Sequence, residues 1–230
     1  MVEHLTCNEV VLGSIPRGGS DSGRILYMGI TLYRNIDIGV IPKTPSIPFV
    51  AGDALDTAKS SLLKFAGIFG TPIGYKQEQD GSLFQHIIPA PKTEYGQIST
   101  SSKSNLELHT ETAFHPYKPS FVLLLCLRGD ENAATTYADD HEILSHLKEQ
   151  TIEILQQPFF VTKVDDSFRT NGEPDVEFVL PILRKYGDSD WSITYDKHFM
   201  RGVNQEAQDA LDEFNYAIEK STREIVLESG

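Results

Sequence analysis

A histidine and a glutamate stand two residues apart at the end of an alternating run in which Leu106 and Leu108 mark the apolar positions. Residues i and i+2 of a β-strand point to the same face, so His109 and Glu111 are placed to bind one metal ion together. An imidazole and a carboxylate are two of the three ligands of the facial triad that holds non-heme Fe(II). The pattern leaves a second interpretation open, an exposed strand edge that carries unrelated polar groups.

The sequence around this pair predicts mostly strands, with a few helices. Alternating or β-branched runs predict strands over residues 24–32, on both sides of a turn at 79–82, and over 106–111, 121–128, 135–138, 159–164, 177–180, 191–195 and from 224 onward. Helical periodicity and capping residues predict helices over residues 53–70, from Asp139 or Asp140 to about 157, and over 205–220. The fold class indicated is α+β, mainly β: a β-sandwich or jelly roll with flanking helices.

Composition limits the classes of protein and partner. At 230 residues, with 40% hydrophobic and 23% charged residues, the chain fits one globular domain with a sizeable core. Its net charge of −13 repels phosphate groups, so nucleic acid and anionic membrane surfaces are not expected partners. Cys7 and Cys126 form no disulfide framework, and neither a signal peptide nor a membrane-length apolar run is evident. We expect a soluble, cytoplasmic protein.

The histidine–glutamate pair lies within longer stretches that resemble a known family. These stretches are LELHTETAFHPYKP at 106–119, LLCLRGD at 124–130, ATT at 134–136, QEQDG at 77–81 and YD at 195–196. Over these residues the chain closely resembles the clavaminate synthase-like branch of the Fe(II)/2-oxoglutarate oxygenases. This branch includes arginine, lysine and asparagine β-hydroxylases that act on free amino acids. The resemblance extends from about Arg24 to the end of the sequence.

The resemblance implies a fold, a metal and a cosubstrate. Residues 24–230 would form a double-stranded β-helix (jelly roll), preceded by an extension or loop at 1–23. His109 and Glu111 would bind Fe(II), and Thr136, or Thr135 beside it, would hydrogen-bond 2-oxoglutarate, with O2 as the oxidant. His115 is not a ligand in the family pattern, so we expect a structural role in which a hydrogen bond holds its ring. Related halogenases carry a small residue in place of Glu111, so the glutamate favours hydroxylation or desaturation.

The resemblance also indicates a small-molecule substrate, a free and cationic L-amino acid hydroxylated at its β-carbon. Acidic and hydroxyl side chains would hold the cationic end, and a polar pair would meet the α-amino end. The predicted substrate residues are Asp165, Ser167 and Asp196 for the first role, and Glu78 or Gln79 for the second. Arginine hydroxylases of this branch place a second acid shortly after the later aspartate. This chain has Lys197 and His198 there, a departure that weakens the case for arginine itself.

The family's third iron ligand, a histidine, and the arginine that pairs with 2-oxoglutarate are not present in the chain. By resemblance both would follow Gly230, so we expect the C-terminal strands of the jelly roll to be missing. The chain would then be a fragment of a longer oxygenase, or a degenerate member that acts as a binding protein without catalysis. Two other metal sites stay open: His198 as a replacement ligand, and a zinc hydrolase site of His109, Glu111 and His115.

Overall fold

The computed structural model describes residues 30–45, 54–89, 95, 101, 103–165, 168–169, 175–186 and 190–230. Its helices are α1 (Asp56–Phe69), α2 (Asp140–Ser145), α3 (Glu149–Leu155) and α4 (Gln205–Ser221), with a short 3-10 turn at Gln79–Gly81. Its strands are β1 (Ala134–Ala138), β2 (Phe160–Lys163), β3 (Glu177–Leu180), β4 (Leu183–Tyr186), β5 (Asp190–Ile193), β6 (Arg201–Gly202) and β7 (Thr222–Val226). Helices hold more of these residues than strands do. The described part is therefore of mixed content rather than mainly β.

The strands of the described residues form three small antiparallel sheets. β1 pairs with β7, β2 lies between β3 and β6, and β4 and β5 form a hairpin. The Thr194 amide donates to the Ile182 carbonyl at 2.8 Å, which continues the hairpin beyond β5. A single bridge then joins His109 to Asp196. The segment that carries the predicted metal pair therefore lies beside the chain that leaves β5.

Helix α4 forms where the sequence combines a cap with an apolar stripe. The Asn204 side chain accepts a hydrogen bond from the Ala207 amide at 2.8 Å, as expected of an N-cap residue. Apolar residues recur every three or four positions and are all buried: Ala207, Leu211, Phe214 and Ile218. This stripe forms one side of the main hydrophobic core, which also includes residues of α2, α3, β2 and β4.

The core side of α4 fixes the strand that leads to Asp196. The Phe214 ring lies 5.3 Å from the Tyr195 ring, and the Tyr195 hydroxyl donates to Asn215 Oδ1 at 2.7 Å. Tyr195 is only 2% exposed, so this strand position points into the core. Because neighbours alternate along an extended chain, Thr194 and Asp196 point to the opposite face.

Several predicted elements are confirmed near their expected positions. α1, α4, β1, β2, β3, β5 and β7 all overlap the segments that periodicity indicated. Asp139 caps α2, accepting from the His141 and Glu142 amides. The single helix expected from there to about residue 157 is wrong, because Lys148 has extended backbone and starts a new helix, α3. Neither glycine nor proline marks this break in the sequence. β4 and β6 were not predicted.

Other predicted strands are corrected. Neither 106–111 nor 121–128 forms a strand, and each contains a single bridge residue, His109 and Val122. The hairpin expected around 79–82 is wrong, because Gln79 and Asp80 have positive φ and wind the chain into consecutive turns. A Cβ on Gly74 would lie 2.5 Å from the Gly81 carbonyl oxygen, so this close return requires glycine.

Some predicted segments lie outside the residues that the structure describes. The extension at 1–23 lies outside it, and so does most of the strand predicted at 24–32. Within the described ranges, no helix is both long and apolar enough to cross a bilayer.

Candidate metal centre and its surrounding carboxylates

Thr110 joins the metal-binding segment to the chain after β5. Its amide donates to the Tyr195 carbonyl at 2.7 Å, and its hydroxyl accepts from the Tyr195 amide at 2.9 Å. A threonine side chain thus replaces one of the backbone groups that an ordinary strand pair would use. Thr110 lies on the core side with Tyr195, which leaves His109 on the other side, opposite Asp196.

Glu111 begins a tight turn instead of continuing the strand. Thr112, the next residue, has φ 48° and is buried, and its carbonyl accepts from the His115 amide at 2.8 Å. Positive φ is unfavourable for a β-branched residue, so the surrounding contacts must hold it in place. His109 and Glu111 both keep solvent-exposed surface. The pair is therefore accessible from solvent.

The His109 ring has a hydrogen bond that suits a metal ligand. Its Nδ1 lies 2.7 Å from the Glu107 carbonyl oxygen. A carbonyl can only accept, so this contact selects the tautomer in which Nδ1 carries the proton and Nε2 has a free lone pair. Metal-binding histidines commonly donate their other ring N–H to a carbonyl or carboxylate in this way.

Carboxylates from distant parts of the chain gather around this pair. Burial raises the pKa of Glu111, and Glu78 raises it further, whereas His109 lowers it. Burial also raises the pKa of Asp165 to about 6, with Asp196 the largest charge contribution and Glu111 and Glu78 adding to it. Glu111 has protein atoms close enough to raise its pKa, yet part of its surface stays exposed to solvent. Four carboxylates thus share one negative region.

The structure brings most, but not all, of the predicted site residues together. Glu78, Asp165 and Asp196 lie near the His109–Glu111 pair, as the charge effects on Asp165 show. Gln79 follows Glu78 in the 3-10 turn and is exposed. Ser167 lies outside the described residues. The two threonines predicted for 2-oxoglutarate, Thr135 and Thr136, lie on β1 opposite Ile225 and Glu224 of β7. As neighbours on a strand they point to opposite faces, so only one can face the cosubstrate.

An aromatic cluster that the sequence did not indicate connects three segments of the site. The Tyr75 hydroxyl donates to the Tyr117 carbonyl at 2.6 Å and lies 3.3 Å from the Thr112 hydroxyl. The Tyr75 ring lies 4.8 Å from the His115 ring and 5.2 Å from the Phe168 ring. These contacts connect the segments that precede Glu78, follow Glu111 and follow Asp165. In the sequence, the one sign of this cluster is an aromatic residue close to each of Glu78, Glu111 and Asp165.

The other two histidines considered as metal ligands, His115 and His198, make contacts with neighbouring residues. Nδ1 of His115 accepts from the Tyr117 amide at 3.1 Å, so a hydrogen bond holds this ring as expected, and its structural role stays a prediction. The His198 amide donates to Asp196 Oδ1 at 2.8 Å, and its ring packs 4.6 Å from the Phe199 ring. Among the residues that the structure describes, no three His, Cys, Asp or Glu side chains are arranged to hold a metal ion. The His109–Glu111–His115 zinc site and the His198 replacement are therefore not found.

The donor set fits two of the ligands of an Fe(II) site. His109 offers Nε2, and Glu111 is a carboxylate whose pKa is raised mainly by burial, although His109 lowers it. A bound divalent cation would stabilise the ionised form of this carboxylate. The described residues supply no third ligand from the protein.

Comparisons with known proteins identify the family. The model of the taurine catabolism dioxygenase TauD, TfdA family matches residues 52–230. L-lysine 3-hydroxylase from Catenulispora acidiphila is 33% identical over 196 residues, which cover 84% of this chain and 53% of that enzyme.

Two solved structures are also similar. Asparagine oxygenase in complex with Fe(II), 2S,3S-3-hydroxyasparagine and succinate has a TM-score of 0.73 and 31% identity, covering 83% of this chain and 59% of that one. Non-heme iron oxygenase OrfP in complex with Fe and alpha-ketoglutaric acid has a TM-score of 0.68 and 27% identity, covering 81% and 59%. The chain thus spans little more than half the length of these relatives. It belongs to the TauD/TfdA family of Fe(II)/2-oxoglutarate-dependent oxygenases.

Proposed function

We propose that the protein is an Fe(II)/2-oxoglutarate-dependent dioxygenase that hydroxylates a free, cationic L-amino acid, at its β-carbon, with conversion of 2-oxoglutarate to succinate. The observation that carries this proposal is the gathering of Glu78, Asp165 and Asp196 beside the His109–Glu111 pair. Family membership supplies the reaction type. The carboxylates indicate a cationic substrate, because a bound cation would relieve the repulsion that Asp196, Glu111 and Glu78 exert on Asp165.

In this proposal His109 Nε2 and Glu111 hold the metal, and Thr136 or Thr135 receives the distal carboxylate of 2-oxoglutarate. Bound Fe(II) would activate O2 together with the 2-oxo acid. The Glu107 carbonyl keeps the His109 ring in the required tautomer, and Thr110 fixes the backbone between the two ligands. We place all of this in one oxygenase domain, residues 24–230, of the double-stranded β-helix (jelly roll) type.

Asp165 and Asp196 would hold the cationic side chain, with Ser167 beside them, and Glu78 or Gln79 would meet the α-amino group. Asp196 accepts from the His198 and Phe199 amides through Oδ1, which fixes its carboxylate in an Asx-type turn. A carboxylate held in this way needs little reorganisation to pair with an ammonium or guanidinium group.

Lys197 does not neutralise this acidic region. Its ammonium pairs with Glu107 at 3.4 Å and with Glu219 of α4 at 3.3 Å. Both partners are outside the group of carboxylates that act on Asp165. The lysine found where arginine hydroxylases carry an acid therefore leaves the cleft negative, and a cationic substrate remains favoured.

Succinate formation and O2 uptake, screened across the twenty amino acids and ornithine with Fe(II) and 2-oxoglutarate, test the proposal. We expect stimulation by lysine, arginine or ornithine, and loss of that stimulation in Asp196→Asn. Asp212→Asn is the matched control, since Asp212 is an exposed acid of α4 whose carboxylate bonds to Gln208. Stimulation by neutral amino acids alone would show that the cleft does not select a cation.

A second function stays open because the described residues supply only two protein ligands for iron. A degenerate family member would bind the amino acid without turning it over. Calorimetry distinguishes the two: binding of a cationic amino acid without succinate formation, at saturating Fe(II), would support the binding protein.

A further inference from the structure

Lys118 is a half-buried cation that faces no carboxylate among the described residues. Its ammonium donates to the Thr194 hydroxyl at 2.8 Å, and Thr194 itself is only 4% exposed. Burial, followed by the charge of Arg184, lowers the pKa of Lys118 to about 8. The described part of the chain places no ion-pair partner beside either cation. Two positive charges thus share a region in which one of them is partly removed from water, an arrangement that an anion would stabilise.

Both cations lie on the face of the hairpin that also carries Asp196. Arg184 of β4 is directly opposite Ser192 of β5, so their side chains share a face. Ser192, Thr194 and Asp196 alternate with residues that point the other way, and Tyr195 is one of these, buried against α4. One face therefore presents Arg184 and Lys118 at one end and Asp196 at the other.

The positive and negative ends of this face do not neutralise each other. Among the described residues, the charges that shift the pKa of Asp165 are Asp196, Glu111, His109 and Glu78, without a lysine or arginine. Within the same ranges, Arg184 is the one charge that shifts the pKa of Lys118. The cations at one end of this face are therefore apart from the acids at the other end. Along the strand, Thr194 and Asp196 are about 7 Å apart. A cationic amino acid has its own opposite charges at a comparable separation.

We propose that Lys118, with Arg184 beside it and Thr194 orienting it, binds the α-carboxylate of the amino-acid substrate. The inference rests on the proposed function, because it assumes that a cationic amino acid occupies the acidic end of the cleft. Its side-chain cation would lie at Asp165 and Asp196, and its carboxylate at Lys118. This orientation lays the substrate along the strand past His109, which the bridge to Asp196 places beside that strand.

Three pairs of ligands test this subsite: L-lysine and cadaverine, L-arginine and agmatine, and L-ornithine and putrescine. Each amine lacks only the carboxylate of its partner. Binding is measured by calorimetry without O2, with Fe(II) and 2-oxoglutarate present. For at least one pair we expect the amino acid to bind about 10- to 100-fold more tightly than the amine, the effect of one charge-assisted hydrogen bond. Lys118→Gln should reduce that preference to about threefold or less while the amine binds as before.

The variants are chosen to separate charge from folding. Glutamine at position 118 keeps an N–H for the Thr194 hydroxyl, and Lys118→Arg keeps the charge and should retain most of the preference. Lys185→Gln is the matched control, because Lys185 is the next residue of β4 and contacts the Trp191 ring on the opposite face. It should leave the preference unchanged.

The outcomes distinguish this proposal from the function on which it rests. If a cationic amino acid binds and its preference over the amine survives Lys118→Gln, the subsite is wrong and the proposed function stands. If Lys118→Gln weakens 2-oxoglutarate instead, the carboxylate bound there is the cosubstrate's, and the subsite is again wrong. If none of the six compounds binds, both proposals fail.

Discussion

Asp165→Asn should stabilise the metal-free protein while it weakens binding of a cationic substrate. Asp165 is half-buried, and its pKa is raised to about 6 by burial and by the carboxylates of Asp196, Glu111 and Glu78. The structure gives its carboxylate no hydrogen bond within the described residues. Asparagine has nearly the same shape without the charge. The substitution therefore removes repulsion and sacrifices no described contact.

The magnitude follows from the change in pKa. A carboxyl group that moves from its ordinary 3.8 to about 6 on folding destabilises the ionised folded state by about 3 kcal/mol when fully buried. Asp165 is only half-buried, so solvent screening reduces this to about 1 kcal/mol. For a domain of this size, 1 kcal/mol corresponds to a Tm increase of about 2–4 °C.

The direction of the Asp165 pKa shift determines how the stability gain of the asparagine variant depends on pH. The folded-state pKa is above the unfolded one, so the folded protein holds the proton more tightly and loses stability as pH rises from about 4 to about 6. The asparagine variant keeps its stability over this pH range. Its gain in stability over the aspartate protein should be near zero at pH 4 and complete above pH 6.

Thermal and urea unfolding of the metal-free protein at pH 4 and pH 7.5 measures this difference. Asp212→Asn on the exposed side of α4 is the control and should change Tm by less than about 1 °C at either pH. Bound Fe(II) should shrink the gain, because a divalent cation offsets the same repulsion. A Tm for Asp165→Asn that is unchanged or lower at pH 7.5, or a gain equal at both pH values, would refute the electrostatic reasoning.

Three further predictions follow from the same structure. His109→Ala and Glu111→Ala should each lower Fe(II) affinity by at least about tenfold in anaerobic titrations, and unchanged affinity would place the metal elsewhere. Phe214→Ala should lower the free energy of unfolding by about 3–5 kcal/mol in urea, since this ring is fully buried in the core. The KM for a cationic amino acid should rise as pH falls below about 6 and Asp165 takes up a proton, and KM in the asparagine variant should not show this rise.

The elements that the sequence predicts well are those with local causes. α4 is set by its cap, Asn204, and by an apolar stripe whose period is that of a helix. The His109–Glu111 pair is likewise visible as a spacing of two residues. Strands depend on partners that are distant in sequence, and here local pattern is misleading. Residues 106–111 alternate like a strand, yet the Thr110 hydroxyl takes the place of a ladder partner and Glu111 turns away.

The carboxylates around the pair have no spacing that predicts their proximity. Glu78, Asp165 and Asp196 lie on three separate segments, and only resemblance to a family indicated that they belong to one site. Their approach depends on contacts that no local pattern encodes, such as Tyr75 against His115 and Phe168. Lys118 lies in the stretch 106–119 that resembles the family, but the sequence indicated no role for it, because its partner Thr194 is distant in sequence.

Mutual repulsion should push these carboxylates apart, so contacts outside the cleft must hold them. Tyr195 packs on α4 and carries the strand of Asp196, while Lys197 ties the same strand to Glu107 and Glu219 on the far side. Tyr195 and Lys197 are the two neighbours of Asp196, and neither side chain contacts the group of carboxylates. The fold therefore keeps uncompensated negative charge at the cleft at a cost to its own stability. A bound cation would remove this cost, so under the proposed function the charges that destabilise the metal-free protein would also select its substrate.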